Sequence, residues 1–376
     1  MTRSHLFRKS HLLALGAVLV LVTATCVSSL EVHASNGTTT SNVEKDVTYA
    51  IVGDATLKMD IYYPESVSGL TPAVVFVHGG AFVSGNRSYN SRDLVERGYL
   101  VASIDYRLAP RYRWPAQIED TKCAIRYLRA NANKYRIDPN RIGALGPSAG
   151  GHLVALLGIT NSSAGFDNSG SYFDQSSRVQ AVVDMFGTTD LVAMGANRSD
   201  MTKYFDAWFG TPNPSVETLR KASPITYVSA DSAPFLILHG ELDDEVPPSQ
   251  SQALYERLKA AGVTATLVMV KNAKHGFVPA AGPISPSRQE ISRMIADFFD
   301  KHVKGLPAST TTGTATRSSQ LTTITTASTT LATSMIPNVA TNLLETYGVY
   351  IGIAIAAAAL APLLVRRNRK SKSQSN

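Results

Sequence analysis

Cysteine is nearly absent from the 376-residue chain, which holds only Cys26 and Cys123. Cys26 falls in an N-terminal stretch that reads as removable, so Cys123 stands alone and no internal disulfide is expected. Also missing are Cys-x-x-Cys, His-Glu-x-x-His and any carboxylate cluster at metal-ligand spacing, so no catalytic metal is expected. No Gly-x-x-x-x-Gly-Lys-Ser/Thr or Gly-x-Gly-x-x-Gly loop stands out, and no nucleotide or other cofactor is expected. A charged surface for nucleic acid is lacking as well. The formal net charge is +7, but the excess sits at the two ends. Arg3, Arg8 and Lys9 outweigh Glu31 at the start, and Arg366, Arg367, Arg369, Lys370 and Lys372 crowd the tail. Residues 35–365 are then close to neutral, so the high isoelectric point reports those ends rather than a basic binding face.

What the ends contain reads as targeting and anchoring. Residues 1–34 join a basic start to an apolar core from Leu12 to Val22 and close on Val32-His33-Ala34, the pattern of a secretory signal peptide. Residues 305–342 are rich in Thr and Ser with almost no charge, as in an O-glycosylated stalk. Residues 343–365 include the uncharged run Gly348–Val365, close to the roughly 20 residues that cross a bilayer. The basic residues of 366–376 follow at once, which places that tail in the cytoplasm. The expectation is a single-pass membrane protein at the cell surface. Its folded domain, 35–304, would lie outside and the membrane would be its partner through the C-terminal helix. Asn36, Asn86, Asn161 and Asn197 begin glycosylation-type triplets.

Within the folded part, Val47–Val52 and Thr56–Tyr63 alternate like antiparallel strands turned at Gly53-Asp54. Ala73–Val77, Tyr99–Tyr106, Arg178–Phe186, Phe235–Leu238 and Thr264–Val270 read as further strands. Helices are expected over Tyr89–Arg97, from Pro115 to about Tyr135, over the run after Gly151, over Pro248–Ala261 and over Ser287–His302. Residues 187–230 read as an irregular lid or cap. The alternation predicts an α/β fold: a mainly parallel sheet with helices on both faces and ligands at the carboxyl ends of its strands. Cys123 lies on an apolar helical face and is expected in the core.

Chemistry concentrates at those strand ends. Gly146-Pro147-Ser148-Ala149-Gly150 lies between a buried strand and an apolar helix, the nucleophile-elbow pattern. Glycine at the flanks relieves the crowding of so sharp a turn. A serine hydroxyl needs a base, and the base needs a carboxylate to fix its tautomer. His275, in the loop after the last strand, is the expected base. The acid is expected in Asp243-Asp244-Glu245, after the strand before it, with Asp243 first and the other two as rivals. Gly79-Gly80-Ala81 after a strand and Ala149 behind the serine are expected to supply N–H donors for an oxyanion. Trp208 and Phe209, in the aromatic stretch 204–209, are candidate walls of a substrate pocket. His152 and His239 read as bracing groups.

His78-Gly79-Gly80-Ala81, Asp105-Tyr106-Arg107-Leu108-Ala109-Pro110, Pro115-Ala116-Gln117, Gly146–Gly151 and His275-Gly276-Phe277 all stand in register. With them the chain, over about residues 45–303, resembles the α/β-hydrolase esterases. More narrowly it is similar to the branch shared by hormone-sensitive-lipase-like and bifunctional feruloyl and acetyl-xylan esterases. The resemblance implies an α/β-hydrolase fold, with Ser148 as nucleophile, Asp243 as acid and His275 as base. It also implies Gly80, Ala81 and Ala149 as oxyanion donors, and small or carbohydrate-linked esters as substrates. Pro147 departs from the acidic residue usual before the serine in these esterases. Two rivals stand beside this reading. A serine peptidase of prolyl-oligopeptidase type lacks its expected gating domain. A non-catalytic adhesion domain is disfavoured by a complete triad.

Overall fold

The computed structural model describes residues 42–305, apart from 67, 90, 91 and 197–200. One eight-stranded sheet runs in the order β1-β2-β4-β3-β5-β6-β7-β8. Its strands are β1 (Val43–Val52), β2 (Ala55–Tyr62), β3 (Thr71–Val77), β4 (Leu100–Ile104), β5 (Ile137–Pro147), β6 (Ala181–Met185), β7 (Phe235–Gly240) and β8 (Ala265–Val270). Strands β3 to β8 are parallel, and the β1–β2 hairpin adds an antiparallel edge against β4. The helices are α1 (Asp93–Glu96), α2 (Ala116–Ala130), α3 (Ala132–Tyr135), α4 (Ala149–Ile159), α5 (Leu191–Ala196), α6 (Thr202–Phe209), α7 (Val216–Ala222), α8 (Ser249–Ala260) and α9 (Arg288–Phe299).

The apolar run of β3 is buried at every position because both faces are covered. Ala73, Val75 and Val77 join one core with Ile118, Leu153 and Leu254 of α2, α4 and α8. Val74 and Phe76 join the other with Leu94 of α1 and Ile291 and Phe299 of α9. Cys123 is fully buried in the first core with its thiol free. The long helix expected from Pro115 breaks at Asn131, whose side-chain amide donates back to the Tyr127 carbonyl at 2.8 Å. The helix expected over Tyr89–Arg97 shrinks to the four residues of α1. The stretch 187–230 is not irregular: α5, α6 and α7 occupy it, each of eight residues or fewer. Helices so short show barely two turns of periodicity, too little to stand out against the Gly and Asn around them. Ser287 and Glu290 form a capping box that starts α9.

The expected placement at the cell surface as a single-pass membrane protein is corrected. No helix among the described residues is long and apolar enough to cross a membrane. Residues 343–365, on which that expectation rested, lie outside the described residues, as do 1–34, 306–342 and 366–376.

Helix α4 is buried on all sides, including its one titratable residue, His152. The His152 Nδ1–H donates to the Thr188 carbonyl at 2.7 Å, while Nε2 has no partner. The ring edges of Phe82, Trp114 and Trp208 surround it. Burial, only partly opposed by the Thr188 bond, pushes its pKa from the usual 6.5 down to about 4. The unfolded chain then binds a proton between about pH 6.5 and 4 that the fold does not, so the His152 contribution to stability is full above that window and falls as pH drops through it. That lowering implies a loss of about 3 kcal/mol. Asp120 and Asp184, buried carboxyls raised to about 6, titrate in the same window with the opposite sign. The His152 share is therefore read as a difference: in urea unfolding across pH 4–7, wild type minus His152→Gln should fall with falling pH.

Candidate active site

Strand β5 delivers Ser148 to the carboxyl edge of the sheet. There its N–H donates to the Met185 carbonyl at the end of β6, at 2.8 Å. The chain then turns so sharply into α4 that Ser148 holds φ 54°, ψ −121°. That is a sparsely populated region, costing on the order of 1–3 kcal/mol and kept only where surroundings over-determine it. A Cβ on Gly150 would run into the Val77 carbonyl oxygen of β3, so glycine is required behind the serine.

His275 sits in the loop after β8, and its ring edge packs on Phe186 at 4.8 Å between centroids. Its Nε2 lies 3.1 Å from Ser148 Oγ and its Nδ1 2.8 Å from Asp243 Oδ2. Asp243 Oδ1 accepts the backbone N–H groups of Glu245 at 3.0 Å and Val246 at 2.9 Å. Burial alone would raise this carboxyl. The hydrogen bonds from His239, His275 and Val246 and the charge of His275 outweigh burial and hold it well below the usual carboxylate range. Asp244 lies exposed and paired with Lys274 Nζ at 2.9 Å, and Glu245 meets Asp243 through its backbone. Of the three candidates, the fold brings Asp243 to His275.

Loop 78–85 supplies the facing wall. Gly80, Ala81 and Phe82 follow β3 with positive φ of 117°, 52° and 65°. A Cβ on Gly80 would strike the Ser84 carbonyl, so this curl also demands glycine. Among the described residues, the N–H groups of Gly80, Ala81 and Ala149 donate no hydrogen bond. A position on Gly79 equivalent to Cβ would lie 3.3 Å from Ser148 Cβ, which fixes how closely the loop approaches the serine. Three idle donors beside a hydroxyl, one of them at a helix N-terminus, make a site for developing negative charge.

Trp208 lies in α6 and is only 2% exposed. Its ring stacks on Phe82 at 3.7 Å with planes 9° apart, and its indole N–H donates to Gln117 Oε1 at 3.0 Å. Phe209 is half-buried and packs on Trp208 and Phe205. The cap thus grips the curled loop through Phe82, a contact that no local sequence pattern signals.

Fold and geometry agree with kinship. The BD-FAE family profile matches residues 59–258, more than half of the chain. The chain belongs to the BD-FAE family. It is 36% identical over 243 residues to Esterase LipC of Mycobacterium tuberculosis (strain ATCC 25618 / H37Rv), covering 60% of each chain. It spans about half to three fifths of the length of the curated relatives it matches. A truncated form of carbohydrate esterase from gut microbiota superposes with a TM-score of 0.60 and 31% identity, over 70% of this chain and 97% of the other. The acetyl ester-xyloside bifunctional hydrolase from Caldicellulosiruptor lactoaceticus superposes with a TM-score of 0.55 and 25% identity, over 66% of this chain and 89% of the other.

In this BD-FAE member His239, read from the sequence only as a brace, meets the carboxylate itself. Its Nε2 lies 2.8 Å from the Val246 carbonyl and 3.3 Å from Asp243 Oδ2, and its Nδ1 is 2.6 Å from Ser251 Oγ. Nε2 must carry the proton, since both neighbours are acceptors, and Nδ1 then accepts from the Ser251 hydroxyl. The four-residue spacing after a strand end is the signal that could have found it. His239→Leu leaves a buried hydroxyl and carbonyl unpaired and should cost about 2–3 kcal/mol in urea unfolding at pH 7. Asp243 contributes stability above the ordinary carboxylate value of 3.8 that is lost as pH falls below it. With one donor gone, that acid-dependent part should shrink.

Proposed function

We propose that the chain is a carboxylic-ester hydrolase that works through an acyl-enzyme on Ser148, with small or carbohydrate-linked acetyl or feruloyl-type esters as substrates. The observation that carries this reading is the continuous relay from Ser148 Oγ through His275 to Asp243, facing three idle N–H groups. The relatives, an esterase, a carbohydrate esterase and an acetyl ester-xyloside bifunctional hydrolase, support the substrate class.

In this reading His275 Nε2 takes the Ser148 proton as Oγ bonds to the ester carbonyl carbon. The carbonyl π electrons move onto oxygen, and the oxyanion accepts hydrogen bonds from Gly80, Ala81 and Ala149, each worth about 3 kcal/mol in the transition state. Collapse breaks the bond to the alcohol oxygen, which leaves with the proton from Nε2. Water then enters and gives a proton to Nε2 as its oxygen bonds to the acyl carbon; collapse breaks the bond to Ser148 Oγ, which takes that proton back from Nε2, and the acid is released. Asp243 stays ionised, holds the Nδ1–H tautomer and stabilises the imidazolium.

With p-nitrophenyl acetate and butyrate, the full chain should release a stoichiometric burst of p-nitrophenol. Ser148→Ala should abolish the burst and lower kcat roughly 10,000-fold or more. A folded wild type with no Ser148-dependent turnover of either ester would sink the proposal. The two acids separate in the same assay. Asp243→Asn should cut kcat by about 1,000- to 10,000-fold, since the wrong tautomer then faces the serine. Asp244→Asn, an exposed change, should stay within about twofold.

A further inference from the structure

A cavity of about 820 Å³ opens beside the candidate site, at the same edge of the sheet. Its walls come from three places: the start of β2 (Asp54–Leu57), the loop after β3 (His78, Gly85 and Asn86) and the loop after β4 (105–112). Because β2 runs antiparallel to β4, its first residues lie at the carboxyl ends of the parallel strands. The relay therefore stands over β5 to β8 and the cavity over β3, β4 and β2, with loop 78–85 between them. Strand spacing puts the middle of the cavity two to three strands from the end of β5, or about 10–14 Å. A chain of a few sugar units spans that distance.

The chemistry of the walls narrows the occupant. Asp54, Asn86, Asp105, Arg107, Arg111 and Tyr112 supply carboxylates, an amide, guanidinium groups and a phenol. Each charged group is already engaged within the protein. Arg111 and the Tyr112 hydroxyl hold Asp54, Arg107 pairs with Asp120 at 2.8 Å and Glu119 at 3.3 Å, and Arg87 behind the wall pairs with Asp105 at 2.5 Å as well as with Asp46 and Asp60. The wall's own charges, Asp54 and Asp105 against Arg107 and Arg111, cancel, and each is already engaged, so none is left free as a receptor for an ion. The wall does offer donors and acceptors in quantity, with apolar Leu108 and Pro110 among them. A neutral ligand that is rich in hydroxyl groups and has apolar C–H faces fits this mixture. The cavity is also tied to the reaction centre. His78, at the root of the curled loop, stacks on Tyr106 with ring centroids 4.2 Å apart, and the Tyr106 hydroxyl donates to the His78 carbonyl at 3.1 Å.

We propose that this cavity is a subsite for the neutral glycan that carries the ester. It binds sugar units next to the esterified one and holds the polymer along the carboxyl edge of the sheet. This inference rests on the ester-hydrolase reading for its catalytic consequence but not for glycan binding itself, so the two are tested separately. Binding is measured by titration calorimetry of the full chain with xylotetraose, cellotetraose and mannotetraose. Catalysis is measured as kcat/KM for acetylated xylotetraose divided by that for p-nitrophenyl acetate. Two substitutions probe the walls independently: Tyr112→Ala removes the phenol, and Thr56→Arg, at an exposed rim position, fills the opening. Thermal melting confirms that each variant is folded. The expected result is binding of at least one tetraose by the wild type, weakened about tenfold in both variants, with the ratio of the two kcat/KM values falling about tenfold. No binding of any of the three by the wild type overturns the subsite, as does binding or a ratio unmoved by both variants. Glycan binding by a wild type that hydrolyses neither ester supports the subsite and overturns the ester-hydrolase reading alone.

Discussion

The turn at Ser148 is the constraint on which the rest of this structure depends. A serine at φ 54°, ψ −121° is strained, and the strain persists because the elements on either side leave no other path. Strand β5 is paired on both sides, with β3 and with β6, and α4 is buried along its whole length. The chain must pass from one to the other within a residue or two. That geometry lifts the hydroxyl clear of the sheet and aims the first N–H of α4 at the same space. Burial of α4, favourable at roughly 25 cal/mol per Å² of apolar surface, offsets a local cost of a few kcal/mol many times over.

Polar groups around this turn are sorted by how many donors each meets. Asp243 and Asp184 are both buried carboxylates at adjacent strand ends, yet they lie on opposite sides of the usual value. Asp243 receives two backbone N–H groups and two imidazoles and is held low. Asp184 is raised to about 6, chiefly by burial, with only the Gly187 N–H bonded to Oδ1 and no partner on Oδ2. Burial is common to both, so hydrogen bonding decides which of them is a stable anion at neutral pH. A base that needs a permanent negative partner finds it at Asp243 and not one strand away.

How far the sequence could be read follows from how local each constraint is. Gly146 to Gly150, the glycines after β3 and the loop histidine are legible because each answers to a steric or chemical demand within a few residues. The buried strands are legible for the same reason, since β3 is buried at every position and carries an unbroken apolar run from Ala73 to Val77. The choice among Asp243, Asp244 and Glu245 was not fully legible from spacing, because it turns on which side chain points inward at the end of β7. The short helices of the cap carried too few turns to declare themselves. The stack of Trp208 on Phe82 joins residues 126 positions apart and had no local mark at all. The membrane expectation failed for a different reason: it rested on a stretch outside the described residues, and nothing within them spans a bilayer.

That distant stack explains how a cap built of short helices acts on the site. Ala81 and Phe82 are non-glycine residues at positive φ, an arrangement that relaxes unless something holds it. The Trp208 ring covers Phe82 from one side, and the Ala109 N–H donates to the Phe82 carbonyl at 2.9 Å. Gln117 completes the brace. Its amide oxygen accepts the Trp208 indole N–H, and its amide nitrogen donates to the Arg107 and Tyr112 carbonyls. One fully buried glutamine therefore joins the cap to the loop after β4, and that loop bounds the cavity. The curl that frees the N–H groups of Gly80 and Ala81 is thus not a property of loop 78–85 alone. It is imposed by the cap above and by the loop after β4 alongside, so substitutions at Gln117 or Trp208 reach the site through the shape of that curl.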